Sequence, residues 1–469
     1  MIRRAVICTC LAAGAAVAAA GQSLSDYWTN CSKNDPDTSI PACIAITQSA
    51  EETVENIGTA YANLGNDFSR KQQWDLAIQN YNQAIQRKPN DAKVYNSRGK
   101  AYDSSGQYDL ALQDYDHAIQ LDPSNSDVFN NRGSCYDDKK MYDRAIEDYN
   151  DALRLKPDFG FAVYNRGLAY YHLGKYDQAL VDYKQYIQMA PSDPDGYSGS
   201  GNAYRQEGHY ELAIEQYNQS LKLNPNQADV LNNRCFAYKY LGDTEHAITD
   251  CSAAIQINPK ETNAFYNRGL AYAAEGQYVT AIQDYDQTIS LTPDNAARYF
   301  ARGRAKMFLP DLDGAVADFA RAVELSQSAS TTIYATLWLH IANQRLRVKD
   351  AEDFAERTAK MDLATWPGPV IKLYLAQTTA DQLFAAADDP DAKTHSDRIC
   401  DANFYAGEYA LMLSQRALGI SRITAARDGC LKSYIEYDGA IAELKRLSAT
   451  APPGTAKSSS APRSTAPKN

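Results

Sequence analysis

Residues 92–125 read AKVYNSRGKAYDSSGQYDLALQDYDHAIQLDPSN, and residues 126–159 repeat the plan as SDVFNNRGSCYDDKKMYDRAIEDYNDALRLKPDF. The proline near the end of each belongs to a series, Pro89, Pro123, Pro157, Pro191, Pro225, Pro259 and Pro293, spaced by 34 residues. Proline lacks an N–H and restricts the residue before it, so each one stops a helix. With that proline as position 32, eight units begin at Gly58, Ala92, Ser126, Gly160, Pro194, Ala228, Thr262 and Ala296, the last carrying Gln327 in the proline's place. Position 8 is glycine in seven units and Cys235 in the sixth; position 20 is alanine in all eight; position 24 is Tyr or Phe in seven, with Cys251 in the sixth. Small residues let the two helices of a hairpin approach, and the rings fill what remains. A fixed period of this length predicts an all-α stack of helix–turn–helix units whose first helices jointly line one face.

Position 7 is arginine in six units (Arg98, Arg132, Arg166, Arg234, Arg268, Arg302), and position 23 is aspartate in the same six (Asp114, Asp148, Asp182, Asp250, Asp284, Asp318). The units with Leu64 and Ser200 at position 7 carry Asn80 and Gln216 at position 23. The two positions face each other across an antiparallel hairpin, which predicts a bidentate ion pair inside each repeat. These residues resemble the tetratricopeptide repeat across 58–329, and the resemblance implies a right-handed superhelical solenoid.

The chain is acidic, with 58 Asp and Glu against 47 Lys and Arg and a formal net charge of −11. That disfavours nucleic acid or an anionic membrane surface, which require a basic stripe. Residues 1–20 read as a secretory signal: Arg3 and Arg4, an apolar run from Ala5 to Ala19, then small residues with cleavage expected near Ala20 or Gly21. Cys10 lies too near the start for a lipid-attachment site, and no later stretch is long and apolar enough to span a bilayer. Export permits disulfides, and three pairs are nominated: Cys31 with Cys43, bracketing a polar loop in the cap; Cys235 with Cys251, the two departures of the sixth repeat; and Cys400 with Cys430. Cys135 is left over. Zinc is the rival for these sulfurs, but CxxC, HExxH and clustered histidines are missing, so neither metal nor cofactor is expected.

The expected organisation is a signal over 1–20, a cap over 21–57 with one helix from Pro41 towards Glu55, eight repeats over 58–329, a C-terminal helical region over 330–447 and a low-complexity tail from 448 to 469. Helices are expected in the C-terminal region over 331–346, 350–360, 368–376, 379–387, 396–414 and 417–446, with an acidic turn at Asp388–Asp391. The fifth repeat carries Gly196, Gly199 and Gly201 in its first helix and lacks the ion pair, so a bend or joint is expected there. Leu337-Trp338-Leu339, Trp366 with Val370 to Ala376, and Asn403 to Glu408 resemble the C-terminal helices of NlpI-like periplasmic tetratricopeptide lipoproteins. That resemblance implies a non-enzymatic envelope adaptor that brings proteases or peptidoglycan hydrolases to their substrates.

The histidines are scattered, and no nucleophile elbow, phosphate loop or dinucleotide fingerprint occurs, so an enzyme is not expected. The binding case rests on the first helices at positions 2, 5, 6, 9, 12 and 13. Position 6 is Asn63, Asn131, Asn165, Asn233 and Asn267; a ladder of carboxamides can pair with an extended peptide backbone, though each can equally cap turns or face water. Asp103, Asp127, Asp137 and Asp138 make the early part acidic, while Tyr164, Tyr171, Tyr240 and Tyr266 give the later part aromatic platforms with Arg205 and Lys239 between them. The expected function is a periplasmic adaptor of a Gram-negative envelope that binds a peptide or protein on its concave face, in envelope proteolysis or peptidoglycan remodelling. Two rivals stand beside it: a self-associating structural protein whose groove is filled by its own chain, and a noncatalytic subunit of a cell-wall enzyme.

Overall fold

The computed structural model describes residues 23–432 and 434–449; the signal segment and the tail beyond 449 lie outside them. Among the described residues the secondary structure is helical throughout, and the chain divides into two compact units, the first ending at Ala203 and the second beginning at Tyr204.

Unit 1 opens with α1 (Leu24–Cys31) and α2 (Pro36–Thr47). The cap thus has two helices where one was expected from Pro41. Asp35 accepts from the Asp37 N–H, and Pro36 supplies a first-turn φ at no hydrogen-bond cost, so the second helix starts five residues earlier and carries Pro41 inside it. Most of the expected Ser32–Ala42 loop is therefore helix. The Cys31–Cys43 disulfide ties α1 to α2 with the Cα atoms 4.8 Å apart. Four repeats follow as α3 (Val54–Arg70) and α4 (Trp74–Arg87), α5 (Ala92–Ser104) and α6 (Tyr108–Leu121), α7 (Ser126–Asp138) and α8 (Tyr142–Leu155), and α9 (Gly160–His172) and α10 (Tyr176–Met189). The boundary between the units falls within α11 (Pro194–Gln206).

The hairpin packing follows from positions 8, 20 and 24. Ala77, Ala111, Ala145 and Ala179 are wholly buried, as are the rings of Tyr115, Tyr149 and Tyr183 to within 1%. A methyl added at Gly99 would lie 2.7 Å from Tyr115 Cε1, and one at Gly65 would lie 2.4 Å from Tyr81 Cε1. Position 8 is glycine because the ring of position 24 occupies the space of its missing side chain. Glycine serves the fifth repeat in the same way. α11 runs unbroken through Gly196 and Gly199, whose added methyls would meet Ile187 and Tyr183 at 2.8 Å.

Unit 2 continues with α12 (Tyr210–Leu223), α13 (Ala228–Tyr240), α14 (Thr244–Ile257), α15 (Thr262–Ala274), α16 (Tyr278–Leu291), α17 (Ala296–Met307) and α18 (Leu312–Leu325). The Cys235–Cys251 disulfide joins α13 to α14 at a Cα separation of 5.5 Å, replacing the glycine–aromatic contact of the other repeats. The remaining helices are α19 (Ala329–Arg345), α20 (Ala351–Thr358), α21 (Gly368–Tyr374), α22 (Ala380–Ala386), α23 (Ala392–Met412), α24 (Arg416–Gly429) and α25 (Ile435–Ala449). The long helix expected over 417–446 is two, interrupted after Gly429, where Cys430 turns to extended backbone and bonds to Cys400 of α23. α25 reaches Ala449, past the expected start of the tail. Leu337, Trp338, Val370, Ile371, Phe404, Tyr405 and Ile423 form one buried core here. Within it Arg345 of α19 bridges Glu408 of α23 and Glu443 of α25 at 2.9 and 2.8 Å.

Candidate functional site

All six predicted ion pairs form, each with two parallel bonds from Nε and Nη2, as in Arg132 to Asp148 at 2.8 and 2.6 Å and Arg268 to Asp284 at 2.9 and 2.7 Å. The third arm was not foreseen. Nη1 crosses to position 25 of the preceding repeat: Arg98 to Asn82, Arg132 to Asp116, Arg166 to Asn150, Arg234 to Asn218, Arg268 to Ser252 and Arg302 to Asp286, at 2.5 to 3.1 Å. One guanidinium thus closes its own hairpin and fastens it to the one before. The sequence did hold the signal: position 25 of the fourth repeat is Lys184, and the next repeat has Ser200 in place of arginine.

The position-6 asparagines also stack repeats. Asn131 donates to Asn96 at 3.0 Å, Asn165 to Asn130 at 3.2 Å and Asn267 to Asn232 at 2.9 Å, each reaching position 5 of the preceding first helix. Asn63 donates to the Cys31 carbonyl of the cap at 3.4 Å, and Asn233 is also partnered. A donor of Asn63, Asn131, Asn165 and Asn267 is therefore engaged inside the protein. These bonds, with direct contacts of α3 to α5, α5 to α7 and α7 to α9, line up the first helices of unit 1 as one inner face.

On that face α3 and α5 border an open pocket of about 360 Å³ lined by Asn66, Ser69, Arg70, Trp74, Tyr81 and Lys100, among others. Arg70 and Lys100, at positions 13 and 9, were not singled out from the sequence. Next along come Asp103 and Asp137, each with Oδ1 buried and without a hydrogen-bond partner. Burial pushes the Asp103 carboxyl up to about 6, and burial likewise raises that of Asp137. Beyond them Tyr164 packs on Tyr186 at 5.1 Å and Tyr171 on Tyr176 at 5.6 Å, so both rings belong partly to the packing.

In unit 2 the corresponding face carries Arg205, whose guanidinium lies 5.2 Å from the Phe236 ring, and Tyr240, stacked on Tyr210 at 4.9 Å. Tyr266 is capped by Arg298 at 3.9 Å. The start of α25 lies against this face. Arg304 of α17 donates to the Ile435 carbonyl at 3.0 Å, and Asp438 is close enough to Lys239 and Arg304 to feel both charges. Burial pushes the Asp438 carboxyl up to about 6, opposed by those two cations, and burial holds the Lys239 ammonium below the ordinary lysine value. Of the residues expected to line the groove here, Lys239 thus has the start of the chain's own C-terminal helix as a neighbour.

Models of the tetratricopeptide repeat match residues 92–125, 228–261 and 262–295, which are the second, sixth and seventh units as framed by their prolines, and further models of this repeat match 65–104, 114–147, 134–197 and 201–242. The array is built of tetratricopeptide repeats. Among solved structures, PilF of Pseudomonas aeruginosa is 19% identical with a TM-score of 0.41 over 45% of this chain and 97% of that one. A tetratricopeptide repeat protein of Parabacteroides merdae is 20% identical with a TM-score of 0.44 over 53% and 98%. YrrB, described as a tetratricopeptide protein with an unusual peptide-binding site, is 21% identical with a TM-score of 0.35 over 40% and 97%.

Tetratricopeptide arrays are protein–protein interaction scaffolds and are generally noncatalytic. Titratable groups do gather in the C-terminal region. His340 Nδ1 lies 2.9 Å from Asp350 beneath Phe354, and Asn343 and Gln344 donate to that carboxylate. Cys400, Asp401 and Glu436 place ligand-type atoms within 4.8 Å of one another, but Cys400 is spent on Cys430 and Asp401 accepts from Tyr334 and Trp366. Both groups are wired into the core. No helix among the described residues is long and apolar enough to cross a membrane.

Proposed function

We propose that this chain is an exported, noncatalytic adaptor of a Gram-negative periplasm that holds a peptide or protein partner along the inner face of its first repeats, serving envelope proteolysis or peptidoglycan remodelling. The observation that carries the reading is the open pocket bordered by α3 and α5, where Arg70, Lys100, Trp74 and Tyr81 come together on the scaffold face of the array. The leader over 1–20 and the NlpI-like residues of the C-terminal region support the compartment and the process. The rival in which the chain fills its own groove has support within unit 2, from the Arg304–Ile435 bond, and this favours unit 1 as the face for a partner.

The test is co-purification from envelope extract with the native chain and with Lys100→Glu/Trp74→Ala. Recovery of a defined set of envelope proteins by the native chain, with protease or hydrolase activity in that fraction and loss of both with the variant, is the expected result. Equal recovery by the two, with a chain that light scattering shows to self-associate, would return the function to self-assembly.

A further inference from the structure

We infer that the inner face of unit 1 holds a receiving site for a cationic side chain, the lysine ammonium or arginine guanidinium of a partner, built from Asp103, Asp137, Asp138 and the Tyr115 hydroxyl. The inference rests on the adaptor reading and names the chemistry its partner must present.

The first repeat shows where the position-24 phenol points. The Tyr81 ring lies across Gly65, and its hydroxyl donates to Asn66 at 2.8 Å and sits 3.3 Å from the Ser69 hydroxyl, at positions 9 and 12 of the first helix. In the second repeat the Tyr115 ring lies across Gly99 in the same way, which directs its hydroxyl to the same two positions, now Lys100 and Asp103. There the bond is not made. Tyr115 is 0% exposed, yet its Oη has no hydrogen-bond partner, and neither has the buried Oδ1 of Asp103 or, one repeat on, that of Asp137. An orphaned buried polar atom costs about 1–3 kcal/mol, and native proteins tolerate few. Three of them, on the consecutive helices α5, α6 and α7 and two of them carboxylate oxygens, describe the outline of a missing donor.

The surrounding charges agree with a cation. Asp138 acts on both Asp103 and the Tyr149 phenol, and Tyr149 also feels Asp137 and Asp103, so the three carboxylates share one neighbourhood. The basic groups nearby are Lys100, which shares α5 with Asp103, His172, beside Asp137, and Lys139, which is already paired with Asp109 at 2.5 Å. The Cys135 thiol, which donates to the Tyr108 carbonyl at 3.7 Å, is also a weak hydrogen-bonding neighbour of the Asp103 carboxylate, and burial first, then that carboxylate, keep it protonated. An ammonium or guanidinium brings several N–H donors to these acceptors and neutralises the charge at once.

The probe is fluorescein-labelled hexalysine titrated into the full chain, followed by anisotropy. Binding that weakens by about tenfold or more in Asp103→Asn/Asp137→Asn, and severalfold in Tyr115→Phe, is expected for a buried charge pair. The exposed, charge-matched control Asp75→Asn/Asp177→Asn should stay within about twofold of the native chain. Melting of the Asp103→Asn/Asp137→Asn variant should be unchanged or raised, because it removes unsatisfied charge. Equal weakening in both double variants would mean unspecific attraction to an acidic protein and would overturn the inference. So would a melting point lowered by more than about 5 °C, which marks the carboxylates as structural, or micromolar calcium that displaces hexalysine and binds in its place. A chain that recovers its envelope partners yet ignores hexalysine refutes this inference alone; one that binds hexalysine and recovers nothing refutes the adaptor reading alone.

Discussion

Glu436 illustrates how much one buried residue can set. It is 4% exposed, accepts from the Tyr405 hydroxyl at 3.3 Å, and lies beside Asp401, itself 8% exposed, with Asp397, Tyr334 and Arg304 as the other ionisable groups near the pair. Burial first, then the Asp401 charge, push the Glu436 carboxyl up to about 8, and burial raises Asp401 too. The folded state therefore keeps a proton that the unfolded chain releases above its ordinary carboxyl value. Stability from this group is full at acid pH and falls as pH rises from about 5 through about 8, by an amount on the order of a few kcal/mol. Glu436→Gln keeps the hydrogen-bonding shape without the charge, so urea midpoints of the variant should lose that slope and exceed the native values at pH 8. A variant curve parallel to the native one would refute the assignment. None of this was legible in the sequence, because a glutamate in an acidic helical chain reads as a solvent-facing residue until its neighbours are known.

At the level of the element, what could be read was what repeats. The arginine–aspartate pairing was visible because six units carry both residues and two carry neither, and glycine at position 8 was visible for the same reason. The bond from position 6 to position 5 of the previous repeat was harder, since position 6 is asparagine in five units but only Asn131, Asn165 and Asn267 follow an asparagine at position 5. The cap was misread because Pro41 looks like a helix start, whereas Asp35-Pro36 is the stronger capping pair. The sixth repeat gives the sharpest comparison. Its Cys235–Cys251 bridge stands where Gly269 and Tyr285 pack in the seventh, so the two devices should be exchangeable. Cys235→Ser/Cys251→Ser should lose about 2–4 kcal/mol. Cys235→Gly/Cys251→Tyr should recover at least half of that by restoring the ring-on-glycine contact, as read by chemical denaturation under non-reducing conditions. Equal losses in both variants would mean that the covalent tie, not the filling of the gap, stabilises this hairpin.

Across the whole chain, the contacts that decide which surface is open are those without a period. Lys239 was read as a groove residue from its register within the array, and that register contains no information about a helix that arrives long after the last repeat. Arg304 is where the two meet: it stands at position 9 of the eighth repeat, donates to the Ile435 carbonyl 131 residues later, and lies 5.6 Å from the Trp338 ring. Its charge also opposes the effect of burial on Asp438. Replacing it by methionine keeps the stem against Trp338 but removes the donor and the charge. The expected result is faster amide hydrogen exchange across 434–449, corresponding to a local loss of about 2–3 kcal/mol, with exchange in α13 rising where α25 no longer lies beside Lys239. Exchange in α3 to α10 should not move, since the bonds that fasten those repeats are their own. If the variant leaves α25 as protected as before, the helix is held by its core contacts through Gly439 and Phe404 alone, and the inner face of unit 2 is covered without help from the array.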